Sequence, residues 1–283
     1  SDRFTRPGPG VRPDAPRKKG VARLAEIMGR DMWNFFRAGF LAFLGCLPFI
    51  IGMFFAVETH ALLFMLLAGI IGGLIAGPEL SAMADTVLRS LRDEPGYWWE
   101  TYRRVWKRNA RESLVPGMLT GLVLSMQIFT LFHMSVISAG IVTWVLLILS
   151  FVVTLGLESY IWPQIALLDL PLYGILKNSL LLFLGYLPRS LGAIAIKAVY
   201  WGAILLFFPL TTIILPFTNF WLPMLPALLC IYQPLNKCFT IESTINKMRE
   251  DELNAALAKD NEPLPEAPTE KAEESTEASS DVQ

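Results

Sequence analysis

Histidine is almost missing from this 283-residue chain, cysteine is scarce and charge is sparse. Each shortage removes a class of protein. The two histidines, His60 and His133, fall in short turns with no cysteine or second histidine at ligand spacing, so they read as solvated surface residues and no metal set is expected. Cys46, Cys230 and Cys238 lie in or beside apolar runs without C-x-x-C spacing, which argues against a disulfide framework and for simple apolar filling. There is no P-loop, no G-x-S-x-G and no H-E-x-x-H, and Ser, Asp and His form no arrangement that picks out a nucleophile. No catalytic residue, cofactor or nucleic-acid partner is therefore expected. With 17% charged against 53% hydrophobic residues and a mean hydropathy of +0.46, the chain has too little polar surface for a soluble domain of this size.

What the chain does have is apolar runs of bilayer-spanning length. They predict an all-α, polytopic helical membrane protein with about six transmembrane helices, near residues 38–57, 61–84, 114–132, 137–158, 191–209 and 217–232. Interfacial amphipathic helices are expected beside them. Residues 20–37 place Leu24, Ile27, Met28, Met32, Phe35 and Phe36 at helical spacing against Arg23, Arg30 and Arg37, the pattern of a helix lying on a membrane. Residues 160–190 are apolar but broken by Pro163, Pro171 and Pro188, which predicts surface-lying or half-inserted helices. Gly45 and Pro48 predict a kink in the first span that neighbouring helices must cover.

Two flanking segments differ from this 20–249 membrane domain. Residues 1–19 are rich in Pro, Gly and basic residues, lack the order of a signal peptide and read as disordered. Residues 250–283 hold two Lys against eleven Asp and Glu and read as an acidic disordered tail, helical only around EDELNAALAK. Such a tail could dock on the basic 86–113 loop. Of 24 Lys and Arg, 23 lie in residues 1–37, the 85–113 loop, the 160–190 region or residues 237–283. None lies in the short turns near 58, 135 and 215, which places those turns outside and both termini in the cytoplasm of a cell membrane.

Inside the spans, two features stand out. Gly69, Gly73, Gly77 and Ser81 recur every four residues, and Gly117, Gly121 and Ser125 repeat the pattern, so the two stripes are candidates to face each other. Lys197 is the basic residue placed within a span, about 9 Å in from Leu191 at 1.5 Å per residue, with Glu79 and Glu158 at similar depth as candidate partners and Glu79 the preferred one. A polar site there would suit a small-solute transporter; a snorkelling lysine would not.

The 85–113 loop is basic and aromatic. As a helix over 97–111 it sets Trp98, Tyr102, Val105 and Trp106 on one side and Arg103, Arg104, Lys107, Arg108 and Arg111 broadly on the other. Trp98, Trp106 and the five basic residues are the candidate contacts with anionic lipid. Recurring phrases at Pro78-Glu79 and Pro163-Gln164, with Asn34, Asn109 and Asn178 ahead of the outgoing spans, suggest three tandem helical hairpins.

The runs MWNFFRAGFLAFLGCLPFIIG, GLIAGPELSAMADTVLRSLRDEPGYWWETYRRVWKRNARES and LKNSLLLFLGYLPRSL resemble the YesL-like bacterial integral membrane proteins, a family of unknown function. The resemblance covers about residues 25–235 and excludes the acidic tail. Family members often stand beside carbohydrate uptake genes, so it implies an accessory or regulatory role, with subunits of an uptake system as candidate partners. It supplies no catalytic residues.

Overall fold

The computed structural model describes residues 17–94, 96–136 and 140–260, and these contain helices and turns but no strand. Among the described residues six helices are long and apolar enough to cross a membrane, so the chain is a multi-pass helical membrane protein. The first, α1 (Gly20–Thr59), has 40 residues, about 60 Å of helix, or roughly twice the hydrocarbon thickness of a bilayer. Its amphipathic start and its apolar span are one helix, with neither a proline nor a cap at the junction of Arg37 and Ala38. Pro48 lies inside it.

The return passage is composite. Helix α2 (Leu62–Leu67) runs through a π-helical turn, Ala68–Gly72, into α3 (Gly73–Leu91). Fifteen of the 19 residues of α3 are buried, which makes it the central strut of the bundle. Helix α4 (Trp98–Phe132) again joins a basic start to an apolar span without interruption, with Pro116 inside. Helix α5 (Ile141–Leu167) continues past the expected end near 158; Tyr160, Trp162 and Gln164 are buried in the bundle rather than lying on a surface. Residues 137–139, where this span was expected to begin, lie outside the described residues. A third outgoing passage is split at Tyr186, whose backbone leaves the helical region, into α6 (Leu172–Gly185) and α7 (Leu187–Leu206), with Pro188 in the first turn of α7, where proline is favoured. It continues through α8 (Leu215–Thr218) into α9 (Trp221–Phe239), and because Phe217 stacks on Phe36 and Trp221 on Phe35, the turn near 215 packs at the start of the first apolar span and not, as expected, at the end that holds the turns near 58 and 135.

The order is thus three successive helical hairpins. Both repeated phrases sit inside return helices, and in each the polar residue after the proline bonds the next outgoing passage. Glu79 accepts from Tyr102 Oη of α4, and Gln164 donates to Ser179 Oγ of α6 at 2.8 Å.

The two small-residue stripes do face each other. A Cβ built on Gly73 would stand 2.3 Å from the Gly117 carbonyl oxygen, one on Gly77 2.4 Å from that of Ser113, and one on Gly121 2.5 Å from that of Gly69. No side chain fits there, so α3 and α4 touch backbone to backbone.

The chain divides into two compact units, 1–241 and 242–283. Of the second, residues to Asp260 are described and belong to α10 (Ile241–Asp260), which includes the expected helical start of the tail. The rest of the acidic tail, and residues 1–16 of the amino-terminal segment, lie outside the described residues.

Candidate functional site

Five passages converge on a polar cluster within the apolar bundle. Lys197, on the buried side of α7, sets its ammonium 3.7 Å from a carboxylate oxygen of Glu158 on α5. The indole Nε1 of Trp162, one turn on, donates to the other Glu158 oxygen at 3.2 Å. Glu158, not Glu79, is therefore the partner of Lys197. The reason is packing: the stripe of α3 faces α4, which turns Glu79 towards α1 and α4 and away from α7. There it accepts a 2.5 Å hydrogen bond from Tyr102 Oη, and its stem fills the space above Gly45, where a Cβ would come within 2.6 Å of Glu79 Cγ. Trp106 lies beside the same carboxylate, though its buried Nε1 makes no hydrogen bond of good geometry. Buried Cys46 of α1 stands within electrostatic reach of both Glu79 and Glu158.

At the end of the bundle that carries the basic segments, arginines cap helix carbonyls. Asp93 follows α3 in the left-handed region (φ 59°), a conformation that aspartate tolerates. It gathers Arg17, Arg23 and Arg30, while Arg23 also donates to the Leu91 carbonyl at 3.1 Å and Arg30 to that of Ser90 at 2.8 Å. Burial alone would raise the Asp93 pKa, but the hydrogen bonds from Arg30 and Arg23 outweigh it and hold the carboxyl below the ordinary aspartate range. Asp85, Arg89, Glu94 and Arg92 extend the network. A cavity of about 290 Å³ opens here among α1, α3 and α4, lined by Arg30, Asn34, Arg89, Asp93 and Trp98 among others.

The residues expected to meet lipid divide into two groups. Arg103, Arg104, Lys107 and Arg111 are exposed along α4. Arg108 turns back and caps α5 through the Ala166 carbonyl at 2.8 Å. Trp98 packs on Tyr102 with ring centroids 5.2 Å apart, and Trp106 is half-buried.

His60 is exposed as expected, but His133 corrects its sequence reading. His60 Nδ1 and His133 Nε2 lie 2.7 Å apart, and His133 is only 7% exposed. Because His133 Nδ1 meets the Phe129 carbonyl at 2.7 Å, that nitrogen carries the hydrogen, which leaves Nε2 to accept from His60. A partner 73 positions away leaves no local spacing to notice. Among the described residues no group of three or more His, Cys, Asp or Glu is placed to hold a metal ion. No protein-family model matches the chain, and no curated protein or solved structure is significantly similar to it.

Proposed function

We propose that this is a non-enzymatic, accessory or regulatory protein of the cell membrane, with its basic end in the cytoplasm and in contact with anionic lipid. The observation that carries the reading is the contrast between the two kinds of polar group. Those inside the bundle are engaged with one another: Lys197 with Glu158, Glu79 with Tyr102, Gln127 with Thr154 and Gln164 with Ser179. The space beside Lys197 is about 10 Å³, the size of one water. The basic side chains Arg103, Arg104, Lys107 and Arg111, by contrast, face outward from α4, where each near an anionic surface is worth about 1 kcal/mol. The YesL-like resemblance adds a carbohydrate uptake system as the partner to test.

Affinity purification from native membranes is the experiment. Co-purification of uptake-system subunits in fixed ratio supports the accessory role, and isolation of the chain alone, together with solute flux in proteoliposomes, overturns it. A second reading, small-solute transport, is favoured by charged side chains that three hairpins carry into the bundle, Glu79 from the first, Glu158 from the second and Lys197 from the third. Flux abolished by Glu79→Gln would establish it.

A further inference from the structure

We infer that Arg37 is a seat for the phosphodiester of a bilayer phospholipid. Arg37 is the last charged residue before 20 uncharged ones, 38–57, so it stands where the apolar span begins. Its guanidinium carbon lies 5.0 Å from the ring centroid of Trp33, one turn earlier on α1, and 5.7 Å from that of Trp98 on α4. Two indoles from two helices thus hold one cation, both inside the range of a cation–π contact. Phe36 extends the collar, stacking on Trp33 at 5.4 Å and on Phe217 at 6.0 Å. Such aromatic belts sit at the headgroup level of a membrane.

The arginines around it differ in one respect. Arg23, Arg30, Arg89, Arg92 and Arg108 each donate to a carboxylate or a carbonyl. Arg37 is exposed and, among the described residues, meets no acceptor. Held over two indole rings and still exposed, it keeps N–H groups free to form a fork whose geometry matches two phosphate oxygens. A phosphodiester carried by acyl chains fits better than a free anion, because exposed Phe40 and Leu44 follow at helical spacing on the same side of α1, where acyl chains would lie.

The test uses the full chain in a non-ionic detergent, stripped of lipid and titrated with phosphatidylglycerol, with bound lipid counted by native mass spectrometry. Wild type should retain one tightly held phospholipid. Arg37→Gln should weaken it at least about tenfold, the value of one charge-assisted hydrogen bond. Arg37→Lys should fall between, having charge without the fork. Trp33→Leu, which keeps the charge and removes one exposed wall, should also weaken it and guards against misfolding of the arginine variants. The inference is overturned if Arg37→Gln binds like wild type, if Lys177→Gln, at an exposed lysine outside the proposed lipid contacts, loses as much, or if inorganic phosphate at equal concentration displaces the lipid.

Discussion

Lys197 and Glu158 show what a buried charge demands. Their side chains are 8% and 17% exposed, so removing one leaves the other in an apolar bundle without a counter-charge. Lys197→Met is expected to lower stability by about 3 kcal/mol in detergent unfolding, and Glu158→Gln in the same chain should restore most of that loss. Glu79→Gln in the Lys197→Met background should restore none, because Glu79 answers to Tyr102. Restoration by Glu79→Gln would place the ion pair elsewhere. Asp93 makes the second residue-scale prediction, this time of pH. Its pKa is depressed, so the folded state gains from it above the ordinary aspartate range and loses that gain as pH falls through the lowered value. Wild type should therefore melt higher than Asp93→Asn at neutral pH, and the gap should close below about pH 4. Asparagine tolerates the left-handed backbone, so the variant removes charge without adding strain. A gap that persists into acid would mean the arginine cluster holds through geometry alone.

At the scale of elements, the glycines of α3 and α4 separate two roles that look alike in sequence. Gly73→Ala drives a Cβ into a backbone carbonyl 2.3 Å away, which rotamer change cannot relieve, and should cost about 1–3 kcal/mol. Gly192, inside α7, has nothing within 4 Å of its Cβ position, so Gly192→Ala should be neutral or stabilise by about 0.5–1 kcal/mol. Thermal unfolding of the pair reads the difference directly, and equal effects would refute backbone contact between α3 and α4. The stripes were legible because a four-residue period survives in a single sequence, as did the six apolar passages. Helix continuity across Arg37 and Ala38 was not, because a change from amphipathic to apolar composition marks a change of surroundings without breaking a helix. The partner of Lys197 was missed for a related reason. Depth along a span can be counted from sequence, but azimuth around the bundle depends on which face each helix gives its neighbour.

The whole molecule sorts its polar contacts by job. Within a hairpin, arginines of the outgoing helix cap the carbonyls of the return: Arg23 and Arg30 onto α3, Arg108 onto α5. Between hairpins the fastenings are different. The glycine stripes and the His60–His133 bond join the first to the second, and Lys197–Glu158 with Gln164–Ser179 join the second to the third. The His60–His133 bond sits at the end opposite the arginines, where the turns carry no Lys or Arg. This polarity argues for the orientation, since Lys and Arg near spans are retained on the cytoplasmic side. With Cys230 and Cys238 replaced by Ser and buried Cys46 kept, single cysteines can be placed at Glu58 and Ser135 in the turns, and at Arg104 and Lys177 at the basic end. In intact cells an impermeant maleimide should label positions 58 and 135, and reach 104 and 177 only after the membrane is opened. Labelling of Arg104→Cys from outside would invert the molecule and remove the cytoplasmic setting proposed for its exposed basic row.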